Sequence, residues 1–152
     1  MRAIALCAIL LLGSACDEVF YVGIDPASTP GALVIDFGRQ QDLSGSAKLY
    51  GFSLEGRPRD TACWTTFWDI QVVEGSRYAE VDRLEYGSAP DNFTTVIPAD
   101  ELRAGYVYSG TPGYHGVGGS CYFEVTRDSL GGGTVRSLTE QEFQAIVNQG
   151  GG

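Results

Sequence analysis

Short runs of β-forming residues, each separated from the next by Gly, Pro, Asp or Ser, constrain the fold of this chain more than any other feature. Apolar side chains recur at every second position within the runs, as at Tyr50, Phe52 and Leu54. This spacing places the apolar side chains of a strand on one face, where they can be buried. We predict strands at residues 32–37, 47–55, 63–73, 79–86, 93–97, 105–109 and 121–126.

Helical periodicity is not sustained anywhere before residue 139. Parallel βαβ units, and the nucleotide sites that such units build, are therefore disfavoured. Turn residues recur at intervals that are typical of antiparallel sandwiches. We predict an all-β fold, an antiparallel sandwich of about seven strands over residues 32–128, followed by a short C-terminal helix.

The N-terminus has the composition of an export signal. Met1-Arg2 supplies one positive charge, and residues 3–12 (AIALCAILLL) are apolar throughout. Ten apolar residues are too few to cross about 30 Å of hydrocarbon as a helix. The small residues Gly13, Ser14 and Ala15 follow, and they suit the cleft of a signal peptidase. We predict a signal peptide over residues 1–15 that is cleaved before Cys16.

Residues 12–16, Leu-Gly-Ser-Ala-Cys, resemble the bacterial lipobox. The resemblance implies that Cys16 carries fatty acids such as palmitate and anchors the protein to a bacterial membrane. Asp17 resembles the inner-membrane retention signal of Gram-negative sorting, so the domain would face the periplasm from that membrane or lie on the cell surface. Gly13 and Ala15 also suit the ordinary signal peptidase, which would cut the same bond without adding lipid.

The number of cysteines helps to distinguish acylation of Cys16 from cleavage without lipid. Of the four cysteines, Cys7 lies in the predicted signal peptide, which leaves Cys16, Cys63 and Cys121. An unpaired thiol is a liability in an oxidising compartment. Acylation of Cys16 would leave Cys63 and Cys121 to form a disulfide, which would add about 4 kcal/mol of stability. The alternative for this pair is two buried thiols.

Two segments flank the predicted sandwich. Residues 16–31 contain Pro26, Pro30 and Gly31 and suit a tether that holds the domain off a membrane. Residues 19–24 (VFYVGI) are apolar enough to form a first strand instead, and both interpretations stay open. Residues 129–152 are predicted to be a glycine-rich linker followed by the short helix.

The predicted C-terminal helix has sequence signals at both of its ends. Thr139 and Glu142 have the spacing of a capping box, and Leu138 and Phe143 occupy the two positions of a hydrophobic staple. Phe143, Ile146 and Val147 share one face, and the helix is expected to end at residues 150–152. A helix this short is marginal alone in water, so we expect it to dock on its own sandwich or on a partner.

One stretch resembles a known pattern. Trp68-Asp69-Ile70, the turn at residues 86–93 (YGSAPDNF) and residues 102–108 (LRAGYVY) are similar to the W-x-I, YGxxPxxF and LxxGxxY elements of small, mostly uncharacterised bacterial envelope lipoproteins. The resemblance implies an immunoglobulin-like or fibronectin-like sandwich and implies no activity. The residues support the same fold, because Trp68 suits a core aromatic and Tyr106 suits a tyrosine corner.

The candidates for chemistry are few. The single histidine, His115, lies in residues 109–120 (SGTPGYHGVGGS), and a glycine-rich loop is a poor support for a catalytic triad or a metal site. The sequence contains no Gly-x-Ser-x-Gly elbow and no calcium-binding loop. We therefore predict no catalytic residue, metal or cofactor. The net charge of −9, without a basic cluster, argues against nucleic acid as a partner.

Binding remains the favoured class of function. Residues 109–120 have the composition of an adaptable recognition loop, with Tyr114 and His115 as candidate binding residues. Trp64, Tyr78 and Tyr122 could stack on a sugar or on an envelope protein. We predict a non-catalytic binding or scaffolding module. The alternatives are an envelope hydrolase acting on glycan or peptide through paired carboxylates, and a carrier of a small apolar ligand.

Overall fold

Eleven strands and one helix make up the part of the chain that the computed structural model describes, residues 18–114 and 116–150. The predicted signal peptide, Cys16 and His115 lie outside the described residues. In chain order, the elements are β1 (Val19–Ile24), β2 (Val34–Gly38), β3 (Ala47–Pro58), β4 (Thr65–Val72), β5 (Ala79–Val81), β6 (Arg83–Glu85), β7 (Phe93–Ile97), β8 (Tyr106–Tyr114), β9 (Val117–Gly118), β10 (Cys121–Arg127), β11 (Gly133–Leu138) and α1 (Glu140–Gln149).

The strands form two sheets that face each other across one core. The larger sheet has the order β11-β10-β8-β3-β4-β7, with β5 also paired to β3, and the smaller sheet has the order β6-β2-β1-β9. All named pairs are antiparallel except β1 with β9. The predicted all-β sandwich with a C-terminal helix is confirmed, with more strands than the seven expected.

The core is aromatic and lies between the sheets. Trp68 is fully buried, as predicted, and its ring lies 5.8 Å from that of Phe52. Tyr50 departs from the predicted alternation: it is 52% exposed, whereas Phe52 and Leu54 are buried. The reason is a register shift between Leu49 and Gly51, which turns Tyr50 to the outer face.

The predicted tyrosine corner is present, but a different tyrosine makes it. The Tyr108 hydroxyl accepts a hydrogen bond from the Arg103 N–H at 2.6 Å and lies 3.3 Å from the Arg103 carbonyl oxygen. Tyr108 is fully buried, so its hydroxyl must find partners within the protein. Burial raises the pKa of Tyr108 to about 12. Tyr106, the residue predicted for this role, packs edge-on against Phe67 instead.

Both flanking segments belong to the sandwich. Residues 19–24, for which a strand and a tether were both open, form β1 and pair with β2. The glycine-rich linker prediction is wrong for residues 133–138, which form β11 and pair with residues 122–127 of β10. The domain therefore begins at β1 and runs to the end of α1, beyond the predicted limits of 32–128.

Helix α1 has the predicted caps. The Thr139 hydroxyl accepts from the Glu142 N–H, and the Glu142 carboxylate accepts from the Thr139 N–H at 2.7 Å. Phe143 and Ile146 are buried against Val107 on the outer face of the larger sheet. The helix thus docks on its own sandwich. No helix among the described residues has the length and apolar composition needed to cross a membrane.

A buried arginine fixes the C-terminal end of this helix. Arg57, on β3, is 2% exposed and donates to the carbonyl oxygens of Val147 at 2.8 Å and Ile146 at 3.4 Å. Its guanidinium also lies 5.4 Å from the centre of the Trp64 ring. The last carbonyl groups of a helix lack intrahelical donors and carry partial negative charge, so a cation stabilises them.

The predicted disulfide is not formed. Cys63 and Cys121 are both free thiols, and only Cys121 is buried, so the alternative of two buried thiols fails as well. Strands β8 and β3 lie between β10, which holds Cys121, and β4, which follows Cys63. Three strand spacings of about 4.8 Å exceed the Cα separation that a disulfide allows. The cysteine count therefore no longer supports acylation of Cys16.

Candidate binding groove

A groove lies between the two sheets on one lateral side of the sandwich. Its volume is about 560 Å³. One wall is the edge of β1, and the opposite wall is formed by the turn into β10, by the end of β11 and by the start of α1. The lining residues are Val22, Gly23, Ile24, Gly118, Gly119, Ser120, Cys121, Tyr122, Ser137, Leu138 and Glu140.

The backbone of β1 faces this groove with unpaired groups. The Asp25 N–H donates to the Val34 carbonyl oxygen at 3.0 Å, which identifies Asp25 and Val34 as a hydrogen-bonded pair. Because such pairs alternate in an antiparallel ladder, Gly23 also bonds β2, whereas Val22 and Ile24 point away from it. The N–H and C=O groups of Val22 and Ile24 are therefore directed into the groove.

Strand β9 covers only the first residues of this edge. Val19 pairs with Val117 and Phe20 with Gly118, and the pairing goes no further. The approach to β9 requires glycine at residue 116, which has a φ of 144° and would place a Cβ 2.5 Å from the Glu18 carbonyl oxygen. Beyond Phe20, no described strand adds to the free edge of β1.

The opposite wall is open and nearly uncharged. A Cβ on Gly119 would meet no atom within 4 Å, so this glycine leaves empty space beside the β1 edge. Val22, Ile24 and Leu138 supply apolar surface, and Glu140 is the one charged residue among those that line the groove. The groove therefore combines free backbone groups with apolar contact surface.

The predicted recognition loop is mostly strand. Residues 109–114 continue β8, and Tyr114 is only 8% exposed, with its ring stacked on Phe20 at 5.3 Å. Burial raises the pKa of Tyr114. Tyr114 is therefore a core residue and not a binding residue. Of the predicted loop, residues 118–120 do line the groove.

The glycines of this segment make room for neighbouring side chains. A Cβ on Gly110 would lie 2.6 Å from the Cys121 sulfur, and one on Gly113 would lie 2.5 Å from the Tyr50 ring. A Cβ on Gly118 would lie 1.9 Å from the Tyr114 ring. These distances are far below van der Waals contact, so packing requires the absence of a side chain at these positions.

The other aromatic candidates also serve the fold. The Tyr122 ring stacks on Phe143 at 4.4 Å, and the Trp64 ring lies 5.9 Å from the same phenylalanine. Tyr122 also lines the groove. Tyr78 is 39% exposed, and the Lys48 ammonium lies 5.6 Å from its ring centre.

The most buried carboxylate is used structurally. Glu124 is 4% exposed, accepts from the Arg136 Nε at 2.7 Å and forms a second ion pair with Arg59. Among residues 18–114 and 116–150, no group of three or more His, Cys, Asp or Glu side chains is placed to hold a metal ion. Burial raises the pKa of the Cys121 thiol, beside the groove, to about 12, so it stays protonated.

Comparison with protein-family models, with curated proteins and with solved structures finds no match for this chain. The unpaired backbone groups of Val22 and Ile24, and the apolar groove beside them, are the features that a ligand could use.

Proposed function

We propose that this chain is an exported, lipid-anchored envelope protein whose sandwich is a non-catalytic binding module for an extended polypeptide segment. The observation that carries the proposal is the edge of β1, where Val22 and Ile24 direct backbone N–H and C=O groups into an open groove. An added strand would pair with these groups, as in other cases of strand addition to a sheet edge.

The shape of the groove supports this mode of binding. Strand β9 already pairs with the first residues of β1 in parallel, and a bound segment would occupy the edge beyond it. Natural proteins usually cover or interrupt a sheet edge that would otherwise pair with another chain. Here Gly119 leaves the edge beyond β9 accessible, which favours a site for backbone recognition.

The lining residues indicate the chemistry of the partner. Alternate side chains of an added strand would point toward Val22, Ile24 and Leu138, so apolar residues at every second position would be favoured. Glu140 and the net charge of −9 disfavour an acidic segment. The proposed ligand is therefore an extended, neutral or basic segment with alternating apolar residues.

Export and anchoring rest on the sequence of the first sixteen residues. The apolar run at 3–12 and the lipobox resemblance at 12–16 support a diacylated Cys16. Intact-mass measurement of the protein purified from bacterial membranes tests this part. A mass that starts at Cys16 and includes acyl chains is expected, and an unmodified Cys16 would contradict the anchor without affecting the binding module.

Binding is tested with a displayed library of random unstructured peptides panned against the domain from residue 16 onward. Gly119→Leu would fill the groove without a clash and should weaken the selected peptides by at least about tenfold, or 1.4 kcal/mol. Gly31→Leu is the matched control, because Gly31 also has open space around it and does not line the groove. Equal affinity for both variants, or no peptides that prefer the unchanged groove, would overturn the proposal.

A pair of proline substitutions tests the backbone geometry directly. Val22→Pro removes an N–H that faces the groove and should abolish peptide binding while the ladder to β2 remains. Tyr21→Pro removes an N–H that faces Gly38 on β2 and should lower the free energy of unfolding more than Val22→Pro does. Urea unfolding and fluorescence polarisation with a selected peptide measure the two effects.

A further inference from the structure

The proposed anchor leaves almost no tether. Only Asp17 and Glu18 separate Cys16 from β1, which begins at Val19. A chain advances at most about 3.5 Å per residue, so Cys16 lies within roughly 10 Å of Val19. Residues 16–31 therefore cannot hold the domain off a membrane as predicted. The end of the sandwich around Val19 must lie close to the bilayer that holds the lipid.

Contacts among neighbouring side chains define this end. The Glu18 carboxylate lies 2.8 Å from the Lys48 ammonium and 3.8 Å from the Arg39 guanidinium. Val19 is paired with its neighbour on β9. We name this surface the anchor end, and it consists of Glu18, Val19, Arg39, Lys48, Tyr78 and Val117.

The anchor end has the composition of a surface that meets lipid head groups. Val19 and Val117 are 51% and 53% exposed, and Tyr78 is 39% exposed. Tyrosine is favoured at the boundary between hydrocarbon and water, and Lys and Arg can extend to the head groups. These three exposed side chains lie around the point where the chain enters the domain, which favours a surface that is covered by the membrane.

The charged side chains of the anchor end compensate one another. Lys48 and Arg39 lie close to Glu18 here, and Arg39 also lies 3.5 Å from Glu80, so two positive charges face two negative ones. The chain as a whole has a net charge of −9, which an anionic membrane surface would repel. The anchor end can therefore approach a bilayer with little electrostatic cost.

We infer that the anchor end rests on the head-group layer of the membrane, so that the lipid at Cys16 fixes the orientation of the domain as well as its location. This inference rests on the proposed lipid anchor. Strand β3 runs from the anchor end to Pro58 over twelve residues, which places the opposite end about 35 Å from the bilayer.

The test supplies the anchor chemically. The domain from residue 16 with Cys63→Ser keeps Cys16 as its accessible thiol, since Cys121 is buried. Coupling Cys16 to a maleimide phospholipid in phosphatidylcholine nanodiscs that contain a nitroxide head-group lipid allows relaxation measurements on isotope-labelled protein. Amide signals of Val19, Tyr78 and Val117 should be lost, and those of Asp60 and Arg103 at the opposite end should persist.

A flexible Gly-Ser spacer inserted between Asp17 and Glu18 is the control, because it releases the domain from the surface. The spacer should restore the signals of Val19, Tyr78 and Val117. Uniform loss along the chain without the spacer, or no effect of the spacer, would overturn the inferred orientation. Because the anchor is attached in vitro, this failure is distinct from finding an unmodified Cys16 in cells.

Discussion

The chain passes between the two sheets on both lateral sides of the sandwich, and the two passages differ. On one side β5 pairs with β3, and β6, one residue later, pairs with β2. Arg83 reinforces this passage through ion pairs with Asp36 at 2.8 Å and Asp25 at 3.1 Å. The Phe37 N–H donates to the carbonyl oxygen of Asp82 between the two strands at 2.8 Å. This side is closed.

On the other side the passage consists of β9 alone, two residues that pair with β1. Stacking of Tyr114 on Phe20 supports it from within the core. The groove opens beyond these residues, beside Val22 and Ile24. The sandwich thus leaves backbone groups free on the side where the fewest interactions close it, which is where we place the ligand.

Thiol labelling should show the largest difference between the two sides. In a Cys16→Ser chain, exposed Cys63 should react at once, and buried Cys121 beside the groove roughly a thousandfold more slowly, the factor for an opening of about 4 kcal/mol. Ala79→Cys places a buried thiol on β5 and should react more slowly than Cys121. Mass spectrometry after timed alkylation gives the rates, and faster labelling at residue 79 than at Cys121 would reverse the comparison.

Substitution of the glycine in β9 should weaken the open side further. Gly118→Val would force a side chain into the Tyr114 ring, 1.9 Å from the Cβ position, at an expected cost of about 1–3 kcal/mol. Gly119→Val has open space and should change the free energy of unfolding by less than about 0.5 kcal/mol. Urea unfolding of both variants measures the difference, and equal stabilities would show that β9 does not hold this side.

Loss of a hydrogen bond on the closed side should have a smaller effect on the free energy of unfolding. The Tyr86 hydroxyl, just after β6, lies 2.7 Å from the Asp100 carbonyl oxygen and 3.2 Å from that of Phe67. Tyr86→Phe should lower the free energy of unfolding by about 1 kcal/mol, the usual net contribution of one hydrogen bond. Tyr50→Phe, at a half-exposed position, is the control and should be nearly neutral. A stability loss equal to that of the control would show that this hydrogen bond does not stabilise the closed side.

The features that the sequence predicts are those set by near neighbours. The caps of α1 depend on Thr139 and Glu142, three residues apart, and both are as predicted. Strand β7 has the predicted bounds, and Trp68 is in the core as expected. In each case the signal is a local spacing or the size of one side chain, which needs no knowledge of the partner strand.

The features that sequence reasoning missed depend on distant residues. The glycines at 110, 113 and 118 predict a flexible loop from the sequence. In the structure they are required for the packing of Cys121, Tyr50 and Tyr114, respectively. The separation of Cys63 from Cys121 follows from strand order, which the composition of the strands does not encode. The groove is missed for the same reason. The edge of β1 at Val22 is free because no other strand pairs with it there, and the sequence of β1 does not show which strands will be its neighbours.

The antiparallel pairing of β1 with β2 has a mechanical consequence. With an anchor at Cys16, a pull on the domain enters at Val19 and runs along the axis of β1. The hydrogen bonds to β2 lie across that direction, so the load is shared among them in shear, whereas peeling would break them one by one. A segment held on the opposite edge of β1 would bear force in the same geometry. The strand that we propose to recognise a partner would thus also transmit tension between that partner and the membrane.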